Sequence, residues 1–200
     1  MSASILSFYQ KKEVSEEIDI KLISLCLGKN REAQKKLYRL LLPYLNVMCK
    51  RYLTNEIDLK DVLQDTFINI FKKLNQFDIQ KASFKTWTTK IAINCCLKYN
   101  LKNNKHRTEE LIINLHEPKV DPTFIDNLSN EELLTWLKRM PQPYFEVFNM
   151  FVIDGFSHNE IAELLKIEPS LSRKRLSRAR EWIKKRLNKS SEYQFHFSSN

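Results

Sequence analysis

The sequence predicts an all-α protein made of two small helical domains joined by a linker. Three observations carry this. Segment after segment repeats apolar residues at the three- and four-residue spacing of one helix face. With 2 Gly and 6 Pro in 200 residues there is little turn chemistry for β-hairpins. Composition also shifts at Thr108: from there to Leu137 stand seven acids and one Lys, in a chain whose formal net charge is +9.

Residues 1–17 form an N-terminal segment. Its start, "MSASILSFYQKKE", lacks the layout of a signal peptide. The first domain is expected over 18–107. "IDIKLISLCL", 18–27, has apolar helical spacing and is broken by "GKN". "REAQKKLYRLLLPYLNVMCKRYL", 31–53, continues in that style, with Pro43 expected to kink the helix or mark a boundary. A third helix is expected over 58–77, "DLKDVLQDTFINIFKKLNQF". Leu59, Val62, Leu63, Phe67, Ile70 and Leu74 fill one arc of its wheel, and Asp61, Asp65 and Lys72 lie opposite. Asp58 is the expected N-cap, with Asp61 in the first turn. The fourth, "SFKTWTTKIAINCCLKYNLKNNKHR", 83–107, is more aromatic and more basic, with Ser83 as the expected cap.

Residues 108–128, acidic and interrupted by Pro118 and Pro122, read as the linker. A second helical domain over 129–188 follows, then a polar tail over 189–200 with no period. In this domain "SHNEIAELLKIEPSLSRKRLSRAR" has the order of a helix-turn-helix, whose second helix lies in the DNA major groove. Ser157 with Glu160 makes a capping box, Ala162 lets the two helices approach, and Pro169 fits the first turn of the second. With Leu171 at 0°, Leu176, Ala179, Ile183 and Leu187 fall between roughly 80° and 160°, a core-facing stripe. Ser170, Arg173, Lys174, Ser177, Arg178, Lys184 and Lys185 fall between roughly 200° and 340°. The N-terminal part of that outer face, Ser170, Arg173, Lys174, Ser177 and Arg178, is the expected DNA-binding surface. Two positions fit badly. Lys166 occupies the turn where such units usually place Gly, and Ser172, near 100°, interrupts the core stripe, so that either Leu171 compensates by packing at the edge or the helix is rotated from this register.

The charge favours an acidic partner, nucleic acid before anionic membrane. No apolar run approaches the roughly 18 residues of a membrane-spanning helix, so the expected location is cytoplasmic. Cys26, Cys49, Cys95 and Cys96 lack CxxC spacing or a nearby paired His, and they read as reduced core residues rather than a metal site. No GxSxG, P-loop or HExxH occurs. The expectation is therefore a protein with no catalytic residue, cofactor, metal or small-molecule substrate.

"RYLTNEIDLKDVLQDTFINIFKKLNQFD" and "SFKTWTTKIAINCCLKYN" in the first half, and "MPQPYFEVFNMFVIDGFSHNEIAELLKI" with "RLSRARE" in the second, resemble regions 2 and 4 of the bacterial sigma-70 family, of the extracytoplasmic-function (ECF) type. The resemblance spans most of 18–188. It implies a factor that binds core RNA polymerase, brings it to promoter DNA and helps open the duplex. Asp61, Gln64 and Asp65 would dock on the polymerase. Phe84, Lys85, Trp87, Lys90 and Asn94 would meet the melted −10 element: aromatics to stack on bases, cations for the backbone, an amide for a base edge. Either aromatic is equally readable as core, and Trp87, which shares a face with Ile91 and Cys95, more so; Asn94 is the stronger candidate for base readout. The basic helix would read the −35 element. Family relatives are commonly held by an anti-sigma factor, which makes one a candidate partner. The family often has Arg before the Asn and Asp four after it, where this chain has Ile93 and Lys98.

Two other classes make different demands on the sequence. A different helix-turn-helix regulator would need a dimerisation helix or ligand pocket in the first 107 residues, and "SFKTWTTKIAIN" would be unexplained. A nucleic-acid enzyme would need a nucleophile with clustered Arg, or a carboxylate metal site, and the sequence offers neither.

Overall fold

The computed structural model describes residues 18–53, 55–103 and 130–194. Among them there are helices and turns and no strand. The chain divides into two compact units, represented by 18–103 and by 130–194.

In the first unit, α1 (Ile20–Leu27) is capped by Asp19, whose carboxylate accepts from the Leu22 N–H at 2.7 Å. Gly28 is its C-cap, but the left-handed residue is the next one, Lys29, φ 59°. The Asn30 N–H returns to the Leu25 carbonyl at 3.1 Å and the Lys29 N–H to Cys26 at 3.0 Å, the closure such a residue permits. Asn30 then caps α2 (Arg31–Tyr52). Pro43 does not divide α2, which runs through it. Pro43 and Arg39 are both exposed, so the carbonyl left without a donor one turn back faces solvent rather than the core.

The expected cap at Asp58 is also corrected. The chain enters α3 (Leu59–Lys73) through a 3-10 turn, Glu56–Asp58, so Asp58 is already helical (φ −82°, ψ −3°) and makes no side-chain cap bond. The capping oxygen lies upstream, where Asn55 accepts from the Ile57 N–H at 3.1 Å. After a second 3-10 turn, Leu74–Gln76, Ser83 caps α4 (Phe84–Asn103) by accepting from the Thr86 N–H at 3.1 Å. Residues 104–107 of the expected helix lie outside the described residues. The core is Leu37, Leu41, Leu45 and Met48 of α2 against Val62, Phe67 and Ile70 of α3 and Ala92, Ile93 and Cys96 of α4.

The second unit holds α5 (Asn130–Leu137), α6 (Gln142–Phe148), α7 (His158–Leu165) and α8 (Pro169–Gln194). α6 runs into a π-helical turn, Asn149–Ile153, in which the Asp154 N–H reaches the Asn149 carbonyl at 2.9 Å. The expected tail at 189 is corrected too, because α8 continues to Gln194. Lys189, Glu192 and Gln194 are good helix formers, and aperiodicity in their apolar pattern does not oppose propensity. Trp136 and Trp182 meet at 5.1 Å within a core of Phe145, Phe148, Met150, Ile161, Leu176, Ala179 and Ile183.

Candidate nucleic-acid interface

α7 and α8 make the helix-turn-helix. Ser157 and Glu160 form both halves of the capping box: the Ser157 side chain accepts from the Glu160 N–H, and the Ser157 N–H donates to Glu160 Oε2 at 2.9 Å. The turn follows at Lys166, which is left-handed (φ 54°, ψ 50°), and the Ile167 N–H closes on the Ala162 carbonyl at 3.0 Å. The side chain disfavoured there by sequence is tolerated because it is exposed and the closure bond is made. Pro169 is the first residue of α8, where no N–H is needed.

The face of α8 follows the wheel. Leu176, Ala179 and Ile183 are buried, while Ser170, Arg173, Lys174, Ser177, Arg178, Lys184 and Lys185 are exposed along the other side. Leu187 lies where side chains are not described. Ser172 belongs to the buried stripe. It is fully buried without any rotation of the helix, and its hydroxyl lies 2.9 Å from His158 Nδ1. Leu171 compensates for nothing, since it is 38% exposed. Arg178 also faces Glu181 at 3.6 Å, an exposed pair worth little in water.

In the first unit Phe84 is buried, packed edge-on against Phe77 at 5.0 Å and tilted by 32° against Trp87 at 5.6 Å. Trp87 is half-buried in this three-ring cluster and also meets Phe77 at 5.6 Å. Lys85 lies over the Tyr44 ring at 5.0 Å, and the Tyr44 hydroxyl is 2.6 Å from Thr89 Oγ1. Lys90 is half-buried. Asn94 is exposed, its amide nitrogen donating to the Lys90 carbonyl at 3.0 Å. Ile93 is fully buried and Lys98 exposed, so the departure at 93 is a core substitution. Asp61, Gln64 and Asp65 are exposed on α3, and Ile68 (41% exposed) extends the same face by one turn.

Sequence reasoning missed three features. Tyr44 joins α4 through the Lys85 and Thr89 contacts. His158 joins the two helices of the helix-turn-helix, and an interrupting Ser in an apolar stripe was the available signal. Asn149 is fully buried and neither side-chain amide atom finds a hydrogen-bond partner among the described residues. The π-helical turn that begins at Asn149 gives no sequence signal.

Burial pushes the thiols of Cys26 and Cys95 up, and hydrogen bonding to Cys49 together with burial does the same for Cys96. Burial also raises the Glu146 carboxyl, against the opposing pull of Gln142 and Arg175. The four cysteines are free thiols.

A helix-turn-helix with a sorted basic face, in a chain whose other unit carries an acid-lined helix and an aromatic cluster, defines a DNA-binding transcription factor. Residues 37–106 match the family description "Sigma-70 region 2" and residues 130–183 match "Sigma-70, region 4". The chain belongs to the sigma-70 family of RNA polymerase sigma factors, and within it to the extracytoplasmic-function type. It is 26% identical to the ECF RNA polymerase sigma-E factor of Haemophilus influenzae, over 78% of this chain and 90% of that protein. To the ECF RNA polymerase sigma factor SigW of Bacillus subtilis it is 28% identical, over 70% of this chain and 81% of that one. Its fold is similar to that of the sigma factor RpoE from Bartonella quintana, solved with the anti-sigma factor NepR: TM-score 0.55, 19% identity, 76% of this chain and 94% of that one. The chain is thus a sigma factor that binds core RNA polymerase and directs promoter recognition and transcription initiation. No helix among the described residues is long and apolar enough to cross a membrane.

Proposed function

We propose that the two units divide the work of initiation, with region 2 over 18–107 and region 4 over 129–188. Ser170, Arg173, Lys174, Ser177 and Arg178 read the −35 element. The observation that carries this is the sorting of α8, with its cations exposed and its apolar residues buried. In region 2, Lys85, Trp87, Lys90 and Asn94 meet the melted −10 strand. Phe84, being buried, holds Trp87 in place and does not itself stack on a base. Asp61, Gln64 and Asp65 dock on core polymerase, because exposed acids on a basic protein suit a basic protein partner rather than DNA. The protein acts in the cytoplasm as a non-enzymatic factor, and the polymerase supplies the chemistry. An anti-sigma factor is the regulatory partner, by likeness to the complexed sigma factor described above.

The docking surface is tested by reversing Asp61 and Asp65 together. Co-elution with core polymerase and run-off transcription should both fall about tenfold or more, the scale of a complementary charge pair turned repulsive. Unchanged co-elution would move the docking surface elsewhere.

A further inference from the structure

One side-chain pair in the helix-turn-helix has no role in that reading. His158, the first residue of α7, is half-buried. Its ring stacks on Phe151 of the π-helical turn, centroids 4.5 Å apart and planes at 22°. Its Nδ1 is 2.9 Å from the hydroxyl of Ser172, which is fully buried and immediately precedes Arg173. The stack fixes the plane of the ring and the hydrogen bond fixes its rotation. One imidazole therefore ties the π-helical turn, the scaffold helix and the first turn of the recognition helix together.

We propose that His158 is a positioning residue for −35 recognition, holding α8 through Ser172, and that it couples promoter binding to the uptake of a proton. This rests on the reading of α8 as the −35 surface. In the free protein the imidazolium is disfavoured, first by burial, then by Arg173 and Arg180 of α8. Of the carboxylates on the two elements, Asp154 follows the π-helical turn and Glu160 is engaged by Ser157 in the capping box. DNA phosphates flanking the bases that α8 reads bring negative charge to the surface that holds Arg173 and Arg180, which favours the charged ring. The pKa of His158 is then higher in the complex than in the free protein. Between the two values binding takes up a proton, so affinity rises as pH falls through that window. Below the free-protein value and above the bound value it is flat.

The test uses holoenzyme, assembled from the full chain and core polymerase, on duplexes varied in the −35 element, from about pH 5.5 to about pH 8. Wild type should gain up to about tenfold in affinity per pH unit inside the window, the limit for one linked proton. His158→Ala should lose that slope and flatten the −35 preference. His158→Asn, whose amide can still bond Ser172, should rescue the preference but not the slope. Ser172→Ala should flatten the preference, and circular dichroism will exclude variants that have not folded. A His158→Asn profile with the wild-type slope would overturn the proton linkage. Unaltered −35 preference in folded His158→Ala and Ser172→Ala would overturn the positioning role. If Arg173→Ala also leaves −35 preference intact, it is the reading of α8 that fails.

Discussion

Lys166 shows how a residue can be wrong for its place and still be used. It sits left-handed at the hinge of the helix-turn-helix, where a Cβ crowds the following carbonyl. Lys166→Gly should therefore stabilise the second unit by about 1 kcal/mol, less the entropy glycine loses on folding. Thermal melts of wild type and variant measure this, and a lower midpoint would mean that the strain is smaller than the entropy glycine loses. Sequence alone marked both Lys166 and Ser172 as misfits, and it was right to do so. It could not supply the reason for Ser172, because the partner, His158, lies fourteen residues away across the turn. Asp58 failed for the opposite cause. Its residue type suited a cap, but the preceding 3-10 turn moved the helix start upstream.

At the scale of the element, α8 was the most legible part of the chain, because charge and apolar period agree over its first turns. Its exposed side should divide by role along its length. Arg173 is in the first turn and a half, where a recognition helix reaches base edges, and Arg pairs bidentately with guanine. Arg173→Ala should cost about 1–3 kcal/mol and relax preference at one or two −35 positions. Lys184 and Lys185 lie further along the same side, where the groove wall is phosphate. Neutralising either should weaken binding almost uniformly and lower the salt slope by about one. Titrating −35 duplexes at two or more salt concentrations separates these outcomes, and an equal shift for every sequence on Arg173→Ala would mean that α8 does not read bases in this register. α4 was less legible. Trp87 and Phe84 have the composition of a base-stacking platform, but Phe84 is buried against Phe77, a residue in the preceding loop that no periodicity connects to it.

For the whole molecule, two helical units were readable from period and from the change of charge at Thr108, while several boundaries were not. The C-terminal extension of α8 has helical propensity without an apolar stripe, so periodicity missed it. Brief proteolysis should cut within 108–128 and leave two stable fragments, resolved by mass spectrometry. First cuts inside α2 or α8 would contradict the division. The thiols described above carry one more consequence, a practical one. Cys26, Cys49 and Cys96 are buried, and Cys95 is half-buried with its thiol pushed up. Maleimides attack thiolates, so the native protein offers them little at neutral pH. A single cysteine placed at exposed Ser24 could then carry a fluorophore without first removing the natural four, giving a reporter of holoenzyme assembly in an otherwise unaltered chain.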